Sequence, residues 1–327
     1  MLDFLTMSQT APADVSQRPA DPRGVDLRVS VGSVCLKNPI IAASGTFGYG
    51  VEFAHLVDLN RLGGIVVKGL SAQPLAGNPA PRMCETPSGM VNAIGLQNIG
   101  VRAFVAEKLP KLREFDTAIV ANVFGHCISD YAEVIRVLEN AEGLTAYELN
   151  ISCPNVERGG VEYSTDPTLI AEVVGAARRA AATRPLWVKL SPTIGIIGLT
   201  AKAAESAGAD AVVISNTFPA LCLDSHTRRS RLGSTTGGLS GPAIKAITMR
   251  LVYEASRVIQ IPIIGLGGIE CPADVAEYML AGASATEVGT AHFVDPQASE
   301  KLVDRLEKWC SEENLPEISK LAGSLKT

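Results

Sequence analysis

Eight short apolar runs, separated by segments with helical spacing, constrain the fold of this 327-residue chain most strongly. The runs are rich in Val, Ile, Leu and Ala, and most of them lack a polar–apolar alternation. Continuous apolar character is typical of parallel strands that are covered on both faces. We therefore predict strands at Pro39–Ala43, Gly64–Lys68, Ala118–Val123, Ala146–Asn150, Leu186–Leu190, Ala211–Ser215, Pro262–Leu266 and Ala285–Val288.

The segments between these runs carry helix signals. Asp166 is a suitable N-cap for a helix at Pro167–Thr183, which has proline in its first turn. Leu199–Ala207 and Ala273–Ala281 follow the same pattern, and Gly282 after the latter is a typical stop signal. Strands and helices are therefore expected to alternate along the chain.

Eight β–α units in one chain predict a TIM (β/α)8 barrel of the α/β class. The barrel is expected to form a single domain over 25–327, with inserted loops covering its C-terminal mouth. An open doubly wound sheet is the alternative. It is disfavoured because no G-x-G-x-x-G follows the first strand. The glycines Gly265, Gly267 and Gly268 come only at the seventh strand, and position 270 is Glu.

Composition and the N-terminal segment exclude several classes of protein. Residues 1–24 are rich in Ala, Pro, Ser, Asp and Gln, which predicts a flexible tail and no secretory signal. No apolar run reaches the roughly 18–20 residues of a membrane span. The net charge of -5 argues against a nucleic-acid partner. We expect a cytoplasmic protein with no membrane and no nucleic-acid partner.

The seven cysteines and four histidines show no metal-ligand spacing, and the cysteines form no CxxC pair. This pattern indicates free thiols in a reducing compartment and no zinc or iron–sulfur site.

Polar or glycine residues stand at the C-terminal end of nearly every predicted strand. In a barrel these ends meet at one mouth, where ligands bind. The joint pattern predicts a ligand site made of Ser44, Gly45, Lys68, Gly69, Asn122, Asn150, Lys189, Ser215, Asn216, Thr217, Gly267, Gly268, Gly289 and Thr290.

Two glycine pairs occupy the corner where barrels usually bind phosphate. Gly267-Gly268 follows the seventh strand and Gly289-Thr290 the eighth, and Ser240-Gly241 upstream could add another contact. Glycine lets backbone N–H groups approach an anion closely. Tight β–α turns are the alternative explanation for each pair alone, but the two pairs together favour phosphate.

Two lysines end predicted strands. A lysine in a dry barrel mouth is costly unless it meets an anion. One of Lys68 and Lys189 would suit the negative charge of a reduced flavin, and the other an acidic substrate. Asn122 and Asn150 would suit ribityl hydroxyls and ring amides.

The stretch from Asn150 to Asn155 places the thiol of Cys153 between side-chain amides. Asparagine donates to and accepts from a flat, amide-like ligand, and Pro154 restricts the backbone that carries the thiol. Cys153 is thus a candidate base or nucleophile. A second polar loop, Asn92–Asn98, follows a long Pro-rich segment, and loops of that length are usually functional. A surface hairpin that covers the fold is the alternative.

The chain resembles the dihydroorotate dehydrogenases of the soluble, cysteine-based class, and most of all the catalytic subunit of the NAD-dependent form. The resemblance runs from about Val31 to Asp295. The motifs that carry it are VVKG, GNPAPRMCETPSGMVNAIGLQN, ELNISCPN, WVKLSP, SNT, TTGGLSGPAIK, IIGLGGI and EVGTAHF.

The resemblance implies a role for each matching position. Cys153 would be the catalytic base. FMN would be held by Ser44, Lys68, Gly69, Asn122, Asn150, Lys189, Ser215, Gly241, Gly267, Gly268, Gly289 and Thr290. Dihydroorotate or orotate would be held by Lys68, Asn92, Ala93, Ile94, Gly95, Leu96, Asn150, Asn155, Asn216 and Thr217.

The resemblance also implies partners. A homodimer is expected, or a heterotetramer with a subunit that carries FAD and an iron–sulfur cluster and passes electrons to NAD. Fumarate-using relatives work without that subunit and remain an alternative. Other open alternatives are a different FMN-dependent dihydropyrimidine or dihydrouridine enzyme, a non-catalytic FMN-binding barrel, and a flavin-free barrel acting on a sugar phosphate.

Overall fold

The computed structural model describes residues 24–152, 154–155, 161–192 and 194–326. The predicted tail lies outside the described residues up to position 23, and so does Cys153.

The core of the molecule is a closed barrel of eight parallel strands. Each strand pairs with the next one along the chain, and the last pairs with the first. This closure confirms the predicted TIM barrel and makes the open doubly wound alternative wrong. The barrel strands are β1 (Ile40–Ala42), β2 (Gly64–Val66), β3 (Ala118–Val123), β4 (Ala146–Asn150), β5 (Leu186–Leu190), β6 (Ala211–Ile214), β7 (Ile263–Leu266) and β8 (Ala285–Val288).

All eight predicted strands are confirmed, and β3, β4, β5 and β8 have the predicted bounds. The differences lie at strand ends. Pro39 and Pro262 fall outside β1 and β7, as expected of residues that have no N–H to donate. Lys68 and Ser215 also fall outside their strands, and both line the cavity described below.

Helices surround the barrel and cover its outer face. Asp166 caps the helix that starts at Pro167, because its Oδ1 accepts from the Thr168 N–H at 2.7 Å. That helix ends at Ala180, three residues before the predicted end, because Ala181 leaves helical geometry with ψ 73°. The α-helices are Val101–Ala103, Leu109–Leu112, Ile128–Glu139, Pro167–Ala180, Ile197–Ser206, Lys245–Ser256, Pro272–Leu280, Ala291–Val294 and Ala298–Glu312.

A four-stranded antiparallel sheet, called the lid sheet below, lies beside the mouth of the barrel and was not predicted. Its strands, in spatial order, are Phe218–Ala220, Gly237–Ser240, Gly89–Asn92 and Met83–Thr86. These strands are short, and one begins with two glycines, so they carry little strand pattern. The sheet joins the loop after β2 to the loop after β6, and the segment after Asn92 lines the cavity.

Three two-stranded pairs complete the strands of the described residues: Val29–Val31 with Val34–Leu36, Pro154–Asn155 with Val161–Glu162, and Leu223–Asp224 with Arg229–Ser230. Short 3-10 segments occur at Val51–Phe53, Leu59–Arg61, Tyr163–Thr165, Pro242–Ile244 and Ile318–Leu321, and a π-helical turn at Phe104–Lys108. Within the described ranges, no helix has both the length and the apolar character needed to cross a membrane.

Candidate active site

A cavity of about 320 Å³ opens at the C-terminal ends of the barrel strands. This volume lies at the lower end of the range of small-molecule sites, about 300–1,000 Å³. The predicted residues that line it are Ser44, Lys68, Gly69, Asn92, Ala93, Ile94, Gly95, Leu96, Asn122, Asn150, Lys189, Ser215, Asn216, Thr217, Gly241, Gly267, Gly268, Gly289 and Thr290. The structure thus gathers almost all of the predicted residues in one place.

Two predicted residues stand apart from this set. Cys153 lies outside the described residues. The backbone of Asn155 belongs to the short strand Pro154–Asn155, which pairs with Val161–Glu162. Their roles stay predictions.

One corner of the cavity is built from backbone. Gly241, Gly267 and Gly268 have φ of 97°, 149° and 66°, conformations that side-chain-bearing residues rarely adopt. A Cβ on Gly268 would lie 2.8 Å from the Gly241 carbonyl oxygen. The corner therefore requires glycine for both conformation and space, and backbone is left facing the cavity.

Thr290 closes this corner from the end of β8. Its Oγ1 donates to Ser240 Oγ at 2.8 Å, which ties the β8 loop to the lid sheet. Behind it, His292 is buried between Thr46 Oγ1 at 3.3 Å and Ser299 Oγ at 2.8 Å. Burial lowers the pKa of His292 to about 4, so its ring is neutral near pH 7.

Lys189 forms the floor of the cavity and is almost fully buried. Its Nζ lies 3.2 Å from Glu287 Oε2, 3.4 Å from Glu148 Oε1 and 3.5 Å from Ser44 Oγ. The expectation that a buried lysine needs an anion is confirmed, and the described residues supply two carboxylates. Asn122 Nδ2 donates to the same Glu148 oxygen and lies 3.3 Å from Ser44 Oγ.

Glu148 and Glu287 were missed as members of this site. Each lies in the interior of the barrel with no exposed surface. A signal was present in the sequence, because each is the one charged residue in an otherwise uncharged strand, AYELN and ATEV. Buried charges of that kind need a partner.

Lys68 also lines the cavity and is partly buried. Burial is the main cause that lowers the pKa of its amine, and the positive charge of Arg82 adds to the effect. The negative charge of Glu52 opposes it. Lys68 is a cation that an incoming anion would stabilise.

Side-chain amides connect β4 and β6 at the mouth. Asn216 Nδ2 donates to Ser152 Oγ at 2.9 Å and to Asn150 Oδ1 at 3.3 Å. Asn150 Oδ1 also accepts from the Ser152 N–H at 3.3 Å. Ser152 immediately precedes Cys153, so this network anchors the start of the loop that carries the thiol. Sequence reasoning had not assigned Ser152 a role.

The segment from Asn92 to Leu96 forms the roof. Asn92 Nδ2 donates to the Gly238 carbonyl oxygen at 3.3 Å, and the Asn78 N–H donates to the Ile94 carbonyl oxygen at 3.0 Å. The hairpin in this region is formed by Met83–Thr86 and Gly89–Asn92, and the predicted loop that follows Asn92 lines the cavity. The cavity is also lined by three residues that the sequence had indicated: Gly45 at a strand exit, Ser240 near the phosphate corner and Gln97 in the polar loop. Lining residues that were not predicted are Ala43, Thr46, Met83, Ile244, Leu266 and Phe293.

Comparison with known proteins decides the family. The family model described as dihydroorotate dehydrogenase matches residues 26–309, most of the chain. The chain belongs to the dihydroorotate dehydrogenase family. Members of this family are flavin-dependent, and the resemblance drawn from the motifs is confirmed.

Relatives at high identity cover nearly the whole of this dihydroorotate dehydrogenase family member. It is 56% identical over 300 residues to "Putative dihydroorotate dehydrogenase A (fumarate)" of Solibacter usitatus, with 92% of this chain and 98% of that protein covered. It is 48% identical over 300 residues to "Dihydroorotate dehydrogenase B (NAD(+)), catalytic subunit" of Trichlorobacter lovleyi, with the same coverage. The protein of that name from Geotalea daltonii is 46% identical over 301 residues, with 92% and 98% covered.

Proposed function

We propose that this protein oxidises (S)-dihydroorotate to orotate with bound FMN, in the pathway that makes UMP. One observation carries the proposal: a chain of this family gathers a glycine corner, two lysines and an amide cluster around one cavity. Each of these groups suits a different part of the two ligands.

The donor set of the cavity fits FMN. The backbone at Gly241, Gly267, Gly268 and Gly289 is open to a phosphate, since no side chain stands in front of it. Lys189, Asn122 and Ser44 form a polar floor suited to a ring that has carbonyl and N–H groups. When bound, FMN supplies the acceptor for the hydride that leaves C6 of the substrate.

The other side of the cavity fits a small anionic pyrimidine. Lys68 would pair with the substrate carboxylate, which offsets the burial that lowers its pKa. Asn150 and Asn216 would bind the ring amides, and the roof from Asn92 to Leu96 would exclude water. Asn155 is assigned to the same ring by the resemblance alone.

Cys153 would take the C5 proton while the hydride leaves C6, so that a C5–C6 double bond forms. A thiol has an ordinary pKa of about 8.5 and suffices as a base when positioned at the carbon. The Asn150–Ser152–Asn216 network would position the loop that bears it. The thiolate becomes a thiol when it takes the proton, and it is restored when the thiol releases that proton to solvent.

The proposed final acceptor is NAD, reached through a partner subunit that carries FAD and an iron–sulfur cluster. The catalytic-subunit names of the relatives at 48% and 46% identity support this assignment. A second candidate is fumarate with no partner subunit, which the relative at 56% identity favours. Assembly as a homodimer or as the heterotetramer belongs to the same proposal.

Chromophore analysis and acceptor assays test the proposal. The chain is purified alone, its chromophore is released by denaturation and identified by mass, and orotate formation is followed with each acceptor. FMN with turnover on fumarate would assign the fumarate route. FMN with reduction by dihydroorotate, but turnover on NAD only after a partner is added, would support the NAD route. A protein that cannot be loaded with FMN would contradict the proposed function.

A further inference from the structure

Three ionisable side chains meet inside the barrel, directly below the cavity. Glu148 comes from β4, Lys189 from β5 and Glu287 from β8. Their side chains are 0%, 4% and 0% exposed, and the lysine lies within 3.4 Å of both carboxylates. We refer to these three residues as the buried trio.

The charges of the buried trio do not balance if every group is ionised. Two carboxylates and one ammonium would leave one net negative charge on side chains that are almost completely buried. An unbalanced charge at such a depth is strongly disfavoured, and a carboxyl group there is neutralised by taking up a proton.

The hydrogen bonding of the buried trio points the same way. Among the described residues, Glu148 Oε2 and Glu287 Oε1 have no hydrogen-bond partner. The other oxygens of the two carboxyl groups, Glu148 Oε1 and Glu287 Oε2, lie 3.4 Å and 3.2 Å from the same Lys189 Nζ, which brings the two groups close together. Two ionised carboxylates would repel each other and have no hydrogen to donate. One proton bound between Glu148 and Glu287 would supply an O–H donor for a hydrogen bond.

We propose that Glu148 and Glu287 share one proton, and that this pair, with its one remaining negative charge, holds Lys189 as a fixed, charged donor at the floor of the cavity. Both glutamates are then positioning residues, since they act through Lys189. Burial and the neighbouring Glu148 raise the pKa of Glu287 well above its usual range. The two carboxylates raise the pKa of Lys189, which keeps its charge.

The shared proton would be present whether or not a ligand is bound. The effect of Lys189 on FMN, by contrast, rests on the proposed function. The carboxyl pair, with one net negative charge, would keep the Lys189 ammonium in one position. Each ligand that enters the cavity would then meet the same hydrogen-bond donor. Without the pair, Lys189 would be a buried amine with no anion and would lose its proton.

The first test is the pH dependence of unfolding, because the native state would hold one proton more than the unfolded chain. Glu287→Gln and Glu148→Gln each remove one acid and that proton, and leave one carboxylate for Lys189. The unfolding constant of the wild type, divided by that of either variant, should rise about tenfold per pH unit between about pH 5.5 and the pKa of the pair. The exposed Glu313→Gln is the matched control and should give a constant ratio.

A constant ratio for both glutamine variants between about pH 5.5 and 7.5 would overturn the proposal, since two ionised carboxylates give no slope there. Infrared spectroscopy of the folded proteins checks this independently of unfolding. The wild type should show the C=O band of a buried protonated carboxyl at pH 7, and Glu287→Gln should lose it. Absence of that band in the wild type would equally overturn the proposal.

The second test addresses Lys189 through the flavin potential. The double variant Glu148→Gln/Glu287→Gln should shift the FMN midpoint potential to more negative values, as Lys189→Met does, whereas each single variant stays near the wild type. If the double variant had a more positive potential than the wild type, the carboxylates would only be cancelling the positive charge of Lys189 at the flavin. That result would overturn their positioning role. If the purified chain takes up no FMN, the proposed function fails, while the unfolding and infrared tests of the proton still stand.

Discussion

Gly268 offers a direct test of how the glycine corner is built. Its φ of 66° lies in the left-handed region, where a side-chain-bearing residue costs about 1–2 kcal/mol. An added Cβ would lie 2.8 Å from the Gly241 carbonyl oxygen and 3.0 Å from Pro242 Cα. Both neighbours are rigid ring or backbone atoms, so relief requires the backbone to move. Crowding of this kind costs roughly 1–3 kcal/mol more.

Gly268→Ala should therefore lower the free energy of unfolding by about 2–4 kcal/mol, after about 0.4–1 kcal/mol is regained from a less flexible unfolded chain. A domain with about 5–15 kcal/mol of stability stays folded after such a loss. The matched control is Gly289→Ala. A Cβ there would meet Ala43 Cβ at 3.7 Å and Thr46 Cγ2 at 3.8 Å, which is ordinary contact.

Urea denaturation and FMN titration separate the two effects. Gly268→Ala should unfold at a clearly lower urea concentration and bind FMN weakly. Gly289→Ala should unfold within about 0.5 kcal/mol of the wild type, yet still bind FMN more weakly, because the methyl group stands where the phosphate is expected. Wild-type stability for Gly268→Ala would refute the steric reasoning. Wild-type FMN affinity for both variants would refute the assignment of the phosphate corner.

Further predictions concern the thiol and the two lysines. Cys153→Ala should still bind FMN, while stopped-flow reduction by dihydroorotate slows about 10²–10⁴-fold; reduction at the wild-type rate would exclude Cys153 as the base. Cys153→Ser should recover activity only at higher pH in a rate profile, because a hydroxyl is a poorer acid; a profile like that of the wild type would contradict this. Burial and Arg82 lower the pKa of Lys68, so KM for dihydroorotate should rise as the pH climbs through that lowered pKa. Lys68→Arg should remove this rise, because arginine keeps its charge. A wild-type KM that does not change with pH would contradict the role of the Lys68 charge. In urea titrations, Lys189→Met should lower the free energy of unfolding by about 3–5 kcal/mol at pH 7. The loss should be smaller at pH 5, because the carboxyl groups of Glu148 and Glu287 can then both be protonated. An equal loss at both pH values would contradict the ion-pair account.

The barrel could be predicted because most of its strands are continuous apolar runs, and burial on both faces imposes that pattern directly. The cavity-lining residues could be predicted because closing a parallel barrel brings the strand ends together. Asn122, Lys189 and Gly267 lie far apart in the chain, yet all three line the same cavity.

The lid sheet could not be predicted, because Gly237–Ser240 is stabilised by pairing with distant strands and not by its own pattern. The buried trio was missed for a different reason. Glu148 and Glu287 look unfavourable in isolated strands, and only the barrel brings Lys189 between them. The lone glutamates in AYELN and ATEV indicate that partners are needed, but a single sequence does not identify those partners.

An anaerobic visible spectrum of the pure chain, recorded before and after dihydroorotate is added, tests the central claim most directly. The account predicts a yellow protein whose flavin band bleaches as orotate forms in equal amount. A flavin-loaded protein that keeps its oxidised band with dihydroorotate, while another dihydropyrimidine bleaches it, would contradict the assignment of the substrate.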